Sequence, residues 1–98
     1  MLIRIVKMSF EPEKTADFLA MFDKIKDKIR AFEGCEHLEL MQDYDNPNSF
    51  STYSKWHDDN ALNAYRNSEL FDGVWTQTKA MFNAKPIAFS LRTYFKVE

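Results

Sequence analysis

Apolar residues first alternate along this chain and then recur every three or four positions, and that change of period marks the first two elements. Residues 2–10, LIRIVKMSF, read as a strand: Leu2, Val6, Met8 and Phe10 share one parity with Arg4 among them, while Ile3 and Ile5 take the other. Apolar side chains on both parities predict cover on both faces. Pro12 can open a helix, because its missing N–H is not needed in the first turn. From there Phe18, Phe22, Ile25, Ile29 and Phe32 form one helical stripe, with Lys24, Asp27, Lys28 and Arg30 on the wet side. Gly34 is the expected left-handed stop.

Residues 35–44 predict a second strand, with Leu38 and Leu40 on one parity and Glu39 and Met41 on the other. The turn formers Asp45-Asn46-Pro47-Asn48 then suit a hairpin connection to a third strand, FSTYSKW, residues 50–56. Its parities are Phe50, Thr52, Ser54 and Trp56 against Ser51, Tyr53 and Lys55. Asp58 and Asp59 can cap a short helix carrying Ala61, Leu62 and Tyr65, and Ser68 can cap a longer one. In the longer helix Phe71, Val74, Trp75, Thr78, Met81 and Phe82 form the inward stripe. PIAFSLRTYFKV, from Pro86 to Val97, alternates as a last strand, with Ile87, Phe89, Leu91, Phe95 and Val97 on one side.

The order β-α-β-β-α-α-β predicts an α+β fold of the ferredoxin-like, split βαβ type: one four-stranded antiparallel sheet with helices on one face. Residues 1–98 form a single domain, since chains divide into separate cores only beyond roughly 250 residues. The uncovered sheet face would carry large apolar side chains from the first and last strands. A patch of that kind on a soluble protein predicts a homodimer packed sheet on sheet.

Composition removes several classes of function. The charge is 13 − 15 = −2, so nothing favours nucleic acid or an anionic membrane surface as a partner. The lone cysteine, Cys35, rules out an internal disulfide framework and multi-cysteine metal centres. No apolar run approaches the ~20 residues of a membrane span and no signal-peptide layout opens the chain, so the expected location is the cytoplasm. With only Gly34 and Gly73, there is no glycine-rich phosphate loop.

Candidate chemistry is sparse. Cys35 and His37 lie two apart on a strand, but with Glu39 they fall short of a structural zinc set, and no metal is expected. His57 follows Trp56 at a strand end, where a histidine can serve as a base or simply face water. Asp58 and Asp59 read as helix caps. The aromatic set Phe22, Tyr53, Tyr65, Phe71 and Trp75 can fill a core or border a cavity between helices and sheet. Tyr and Trp each bring a polar tip that suits a flat, apolar, oxygen-bearing ligand.

Several segments together resemble the antibiotic biosynthesis monooxygenase domain family. They are FEPEKTADFLAMF, FEGCEHLEL, FSTYSKWHDDNALNAYRNSELF and the Pro86-Ile87-Ala88 lead into the last strand. The likeness runs over nearly the whole chain. It implies a dimeric α+β barrel, and it implies one of three activities. Some relatives oxidise quinols or polycyclic phenols with O2 and no cofactor. Others degrade haem through an Asn, a Trp and a His, whose positions correspond to Val6, Tyr65 and Trp75 here, so that triad is absent. A third set acts on small phosphorylated signalling sugars or has no assigned activity. For a cofactor-free oxygenase the expectation is a pocket lined by Phe22, Tyr53, Tyr65, Phe71 and Trp75, with Tyr65 and either His57 or His37 as catalytic groups. The competing expectation is a non-catalytic dimer that binds a small hydrophobic molecule or haem. A hollow or a filled interior separates the two.

Overall fold

The central strand β1 (Leu2–Ser9) has a paired strand along each of its edges. The structure, a computed structural model, describes residues 1–98. A 3-10 turn, Pro12–Lys14, leads into α1 (Thr15–Arg30), followed by β2 (Cys35–Gln42), β3 (Ser49–Trp56), α2 (Asp59–Arg66), α3 (Glu69–Lys79) and β4 (Ile87–Leu91). The sheet is antiparallel throughout, in the order β2-β3-β1-β4, and this is the α+β ferredoxin-like arrangement expected from the element order.

Local chemistry sets the boundaries. Asp58 accepts the Ala61 N–H at 2.9 Å and Ser68 accepts the Phe71 N–H at 3.1 Å, so each short helix starts on a side-chain cap. Helix α1 ends at Arg30, and Gly34 lies further on, in the turn before β2, rather than closing the helix itself. Its φ of +89° suits only glycine, and a Cβ there would strike the Ala61 side chain. Strand β2 stops at Gln42 instead of residue 44, because the Asp43 carboxylate takes the N–H groups of Asp45 and Asn46 at 3.1 and 3.0 Å and folds the turn.

The last strand is shorter than its alternation predicts. It ends at Leu91, which pairs with Ile3 near the start of β1, so the chain beyond has no neighbouring strand to bond. Residues 92–98 are exposed, with Phe95 77% and Val97 83% accessible.

Register sorts the two faces. Arg4, Val6 and Met8 of β1 lie beside Ser54, Thr52 and Phe50 of β3, on the side covered by helices. Ile3 and Ile5 lie on the other side, in ladders that run Leu91–Ile3–Lys55 and Phe89–Ile5–Tyr53–Glu39 across the sheet. No helix covers this second face: Ile87, Phe89 and Leu91 remain 42–55% exposed.

Beneath the helices the core divides into two groups. Ile29, Cys35, Trp56, Leu62 and Tyr65 pack at one end, and Met8, Phe10, Phe18 and Phe50 at the other. Phe22 touches both groups. No helix in the chain is long and apolar enough to cross a membrane.

Candidate active site

Between the two core groups lies a cavity of about 250 Å³, partly open to solvent. Its walls come from both groups, with Ile29, Trp56, Leu62 and Tyr65 from one and Met8 and Phe18 from the other. The inward stripe of α3 supplies Phe71, Val74 and Trp75, which are half-buried. The interior is hollow where nine Phe and five Met were available to fill it. An engineered cavity of ~150 Å³ holds benzene, so this one has room for one or two fused rings.

Tyr65 is the centre of the aromatic wall. Its ring stacks on Trp56 with centroids 4.9 Å apart and meets Phe71 edge-on at 5.2 Å and Phe32 at 5.4 Å. Phe71 in turn stacks on Trp75 at 5.8 Å. Three aromatic neighbours hold the Tyr65 ring in one orientation, yet its hydroxyl has no protein partner and keeps access to the cavity. Burial, with a smaller contribution from Cys35, pushes its pKa up to about 12. Tyr65 is therefore a neutral hydrogen-bond donor at physiological pH and not a base.

Three other polar groups in the wall are engaged with the protein. Trp56 Nε1 donates to Ser54 Oγ at 3.0 Å, Ser54 Oγ donates to the Arg4 carbonyl at 3.4 Å, and Thr78 Oγ1 donates to the Val74 carbonyl at 2.7 Å. These bonds satisfy Trp56, Ser54 and Thr78 internally, whereas the hydroxyls of Tyr65 and Thr52 have no protein partner.

Of the pocket residues expected from sequence, Phe22, Tyr65, Phe71 and Trp75 line the cavity, as do all three positions of the haem-type triad, Val6, Tyr65 and Trp75. Tyr53 does not line it. It belongs to the opposite parity of β3 from Trp56, so it stands on the uncovered sheet face. His37 is there too: a register shift between Cys35 and His37 breaks their common face. Cys35 turns into the core, where burial raises its thiol pKa, while His37 meets Glu39 Oε1 at 3.0 Å and the Tyr53 ring at 5.2 Å. His57 is exposed at the corner before Asp58 and is not among the cavity residues. The structure thus brings neither histidine to the hollow. No three His, Cys, Asp or Glu side chains converge anywhere in the chain.

Two residues in the cavity wall carry charge and were not among the expected site residues: Arg4, on β1, and Arg66, the last residue of α2. The sequence did hold a signal for the first, a lone arginine within the inward parity Leu2, Val6, Met8, Phe10. Arg66 follows Tyr65 directly, but nothing in its spacing separates it from an ordinary solvated helix end.

Comparison with known proteins places this geometry in a family. Among solved structures, an antibiotic biosynthesis monooxygenase superposes with a TM-score of 0.89 at 22% identity, over 95% of this chain and 98% of that one. A conserved protein from Methanosarcina mazei Go1 gives 0.87 at 22% identity, over 94% and 92%. A protein from Pseudomonas aeruginosa gives 0.84 at 22% identity, over 96% and 94%. At such identity the likeness speaks for the fold alone. No curated protein matches the sequence significantly. The sequence model of the antibiotic biosynthesis monooxygenase family matches residues 1–74, which carry the first three strands, α1, α2, and with them Arg4, Tyr65 and Arg66. On that match, the chain belongs to the antibiotic biosynthesis monooxygenase family.

Proposed function

We propose that this protein oxidises an electron-rich phenol or quinol of one or two rings with O2, without a metal or organic cofactor. The observation that carries this reading is the hollow itself, an apolar space walled by aromatics with the free O–H of Tyr65 at its edge. A phenol in that space places its oxygen at the Tyr65 hydroxyl and its ring against Trp56, Phe71 and Trp75. The volume favours small ring systems over the polycyclic ones of some relatives.

The chemistry starts with loss of the phenol proton. With no histidine in the cavity, the proton leaves to water where the cavity opens to solvent, and the bound oxygen becomes an anion that accepts a hydrogen bond from neutral Tyr65. The lining carries two guanidinium groups and no carboxylate, so its field favours the phenolate. The phenolate transfers one electron to O2. The resulting radical and superoxide combine at the open para carbon, and protonation gives a hydroperoxide. Loss of water then leaves the quinone. For 1-naphthol the sum is C10H8O + O2 → C10H6O2 + H2O, which needs no added reductant. Oxygen uptake tests the reading: one- and two-ring phenols and quinols in chelated buffer should consume O2 faster with the protein than without it. Equal rates across the set would overturn it.

We also infer that two copies pack through the uncovered sheet face. The support is the contiguous apolar surface of Ile3, Ile5, Ile87, Phe89 and Leu91, a patch that a two-fold axis can bury against itself. Tyr53 and His37 share that face, which gives them a place in such an interface rather than in the cavity.

A further inference from the structure

Arg4 and Arg66 reach the same cavity from different directions, one from the central strand and one from the end of α2. Neither guanidinium has a carboxylate within ion-pair distance, since the chain's ion pairs are Lys26–Asp23 and His37–Glu39. Fifteen acidic residues are present in the chain, and none lines the cavity. Arg4 makes a single side-chain hydrogen bond, from Nη1 to Ser90 Oγ at 3.0 Å, and Arg66 makes none. Each guanidinium offers five N–H donors, so most of the donors around this space are unused.

Two like charges facing one apolar space oppose each other. Burial first, and the charge of Arg66 second, hold the Arg4 guanidinium below its usual pKa. The C-terminal dipole of α2 suits Arg66, but no comparable feature accounts for a half-buried Arg4 in the middle of the sheet. A planar anion between the two would satisfy both, and the fork of a guanidinium matches a carboxylate in two parallel bonds.

We propose that the ligand of this cavity is an aromatic carboxylate, its rings against the aromatic wall and its carboxylate between Arg4 and Arg66. The proposal rests on the reading of the cavity as the substrate site and names the chemical class of that substrate. For a hydroxyaryl carboxylate, two positive charges against one negative leave a net charge of +1, which still favours ionisation of the ring hydroxyl.

The test uses the full chain and two probes of the same shape, 2-naphthoate and neutral 2-naphthamide, titrated at pH 8 and followed by tryptophan fluorescence. Naphthoate should bind about tenfold tighter or more, and the preference should shrink as salt is raised. Arg66→Gln, on the exposed end of α2, and Arg4→Gln should each remove most of that preference, and continued binding of naphthamide by each variant reports an intact cavity. Equal affinity for the two probes, or a preference that survives both substitutions, overturns the proposal. Neither probe has a hydroxyl to oxidise, so this result is independent of oxygen chemistry. Carboxylate selectivity without oxygen uptake would remove the oxygenase reading alone.

Discussion

Ser68 is tied to Tyr65 at both the backbone and the helix level: its hydroxyl donates to the Tyr65 carbonyl at 2.6 Å and accepts the Phe71 N–H at 3.1 Å. One side chain thereby closes the end of α2 and opens α3, and it sets the distance between the Tyr65 and Phe71 rings, which meet edge-on at 5.2 Å. The cap and the aromatic wall are one device. Ser68→Ala should cost about 1 kcal/mol of stability, the usual value of a lost N-cap. It should also weaken binding of 2-naphthamide, because the wall loses its anchor. Thermal unfolding and the fluorescence titration measure the two effects separately.

Tyr65 gives the stability a distinctive alkaline limb. Its folded pKa is about 12 against an ordinary value of 10.0. Between those values the unfolded chain releases a proton that the folded chain keeps, so stability is intact below about pH 10 and falls as pH rises toward 12, by about 2–3 kcal/mol in all. Tyr65→Phe should flatten that limb in urea unfolding measured from pH 9 to 11. The same substitution removes the Tyr65 hydroxyl donor from the cavity, and oxygen uptake should drop about tenfold or more while the fold persists.

The uncovered sheet face makes its own prediction. Phe89 and Ile5 stand opposite each other at the centre of the apolar ladder, with Phe89 still 42% exposed. Wild-type protein at micromolar concentration should sediment at about twice the chain mass. Phe89→Glu would place a carboxylate against its own symmetry mate or nearby apolar groups, and should give the single-chain mass with an unchanged far-ultraviolet spectrum. A wild type that sediments as one chain would refute the pairing.

Much of the fold is legible along the chain because each element carries its own period and its own stop. The stripe Phe18, Phe22, Ile25, Ile29, Phe32 announces α1, and Asp58 and Ser68 announce α2 and α3 through caps that act within three residues. What the pattern could not carry was context across strands. Alternation continues to Val97, but hydrogen bonding needs a neighbour, and β1 offers none beyond the Ile3–Leu91 pair. The bulge at Cys35 and His37 is likewise a property of pairing with β3, invisible in a two-residue spacing. Tyr53 is different: parity with Trp56 already placed it on the far side. Tyr65 and Trp75 were legible as cavity residues because both sit on inward helical stripes. Arg4 carried a visible anomaly, a charge on an apolar parity, whereas Arg66 acquires meaning only once α2 is folded over the sheet.

The central claim is that O2 supplies an oxygen atom to a phenol held in the Tyr65 cavity. The direct measurement is a brief incubation of 1-naphthol with the protein under 18O2, quenched early, with the product weighed by mass spectrometry. A naphthoquinone two mass units heavy, formed faster than in buffer alone and more slowly with Tyr65→Phe, is the predicted result. A quinone carrying only solvent oxygen, or one formed no faster than without protein, would contradict it.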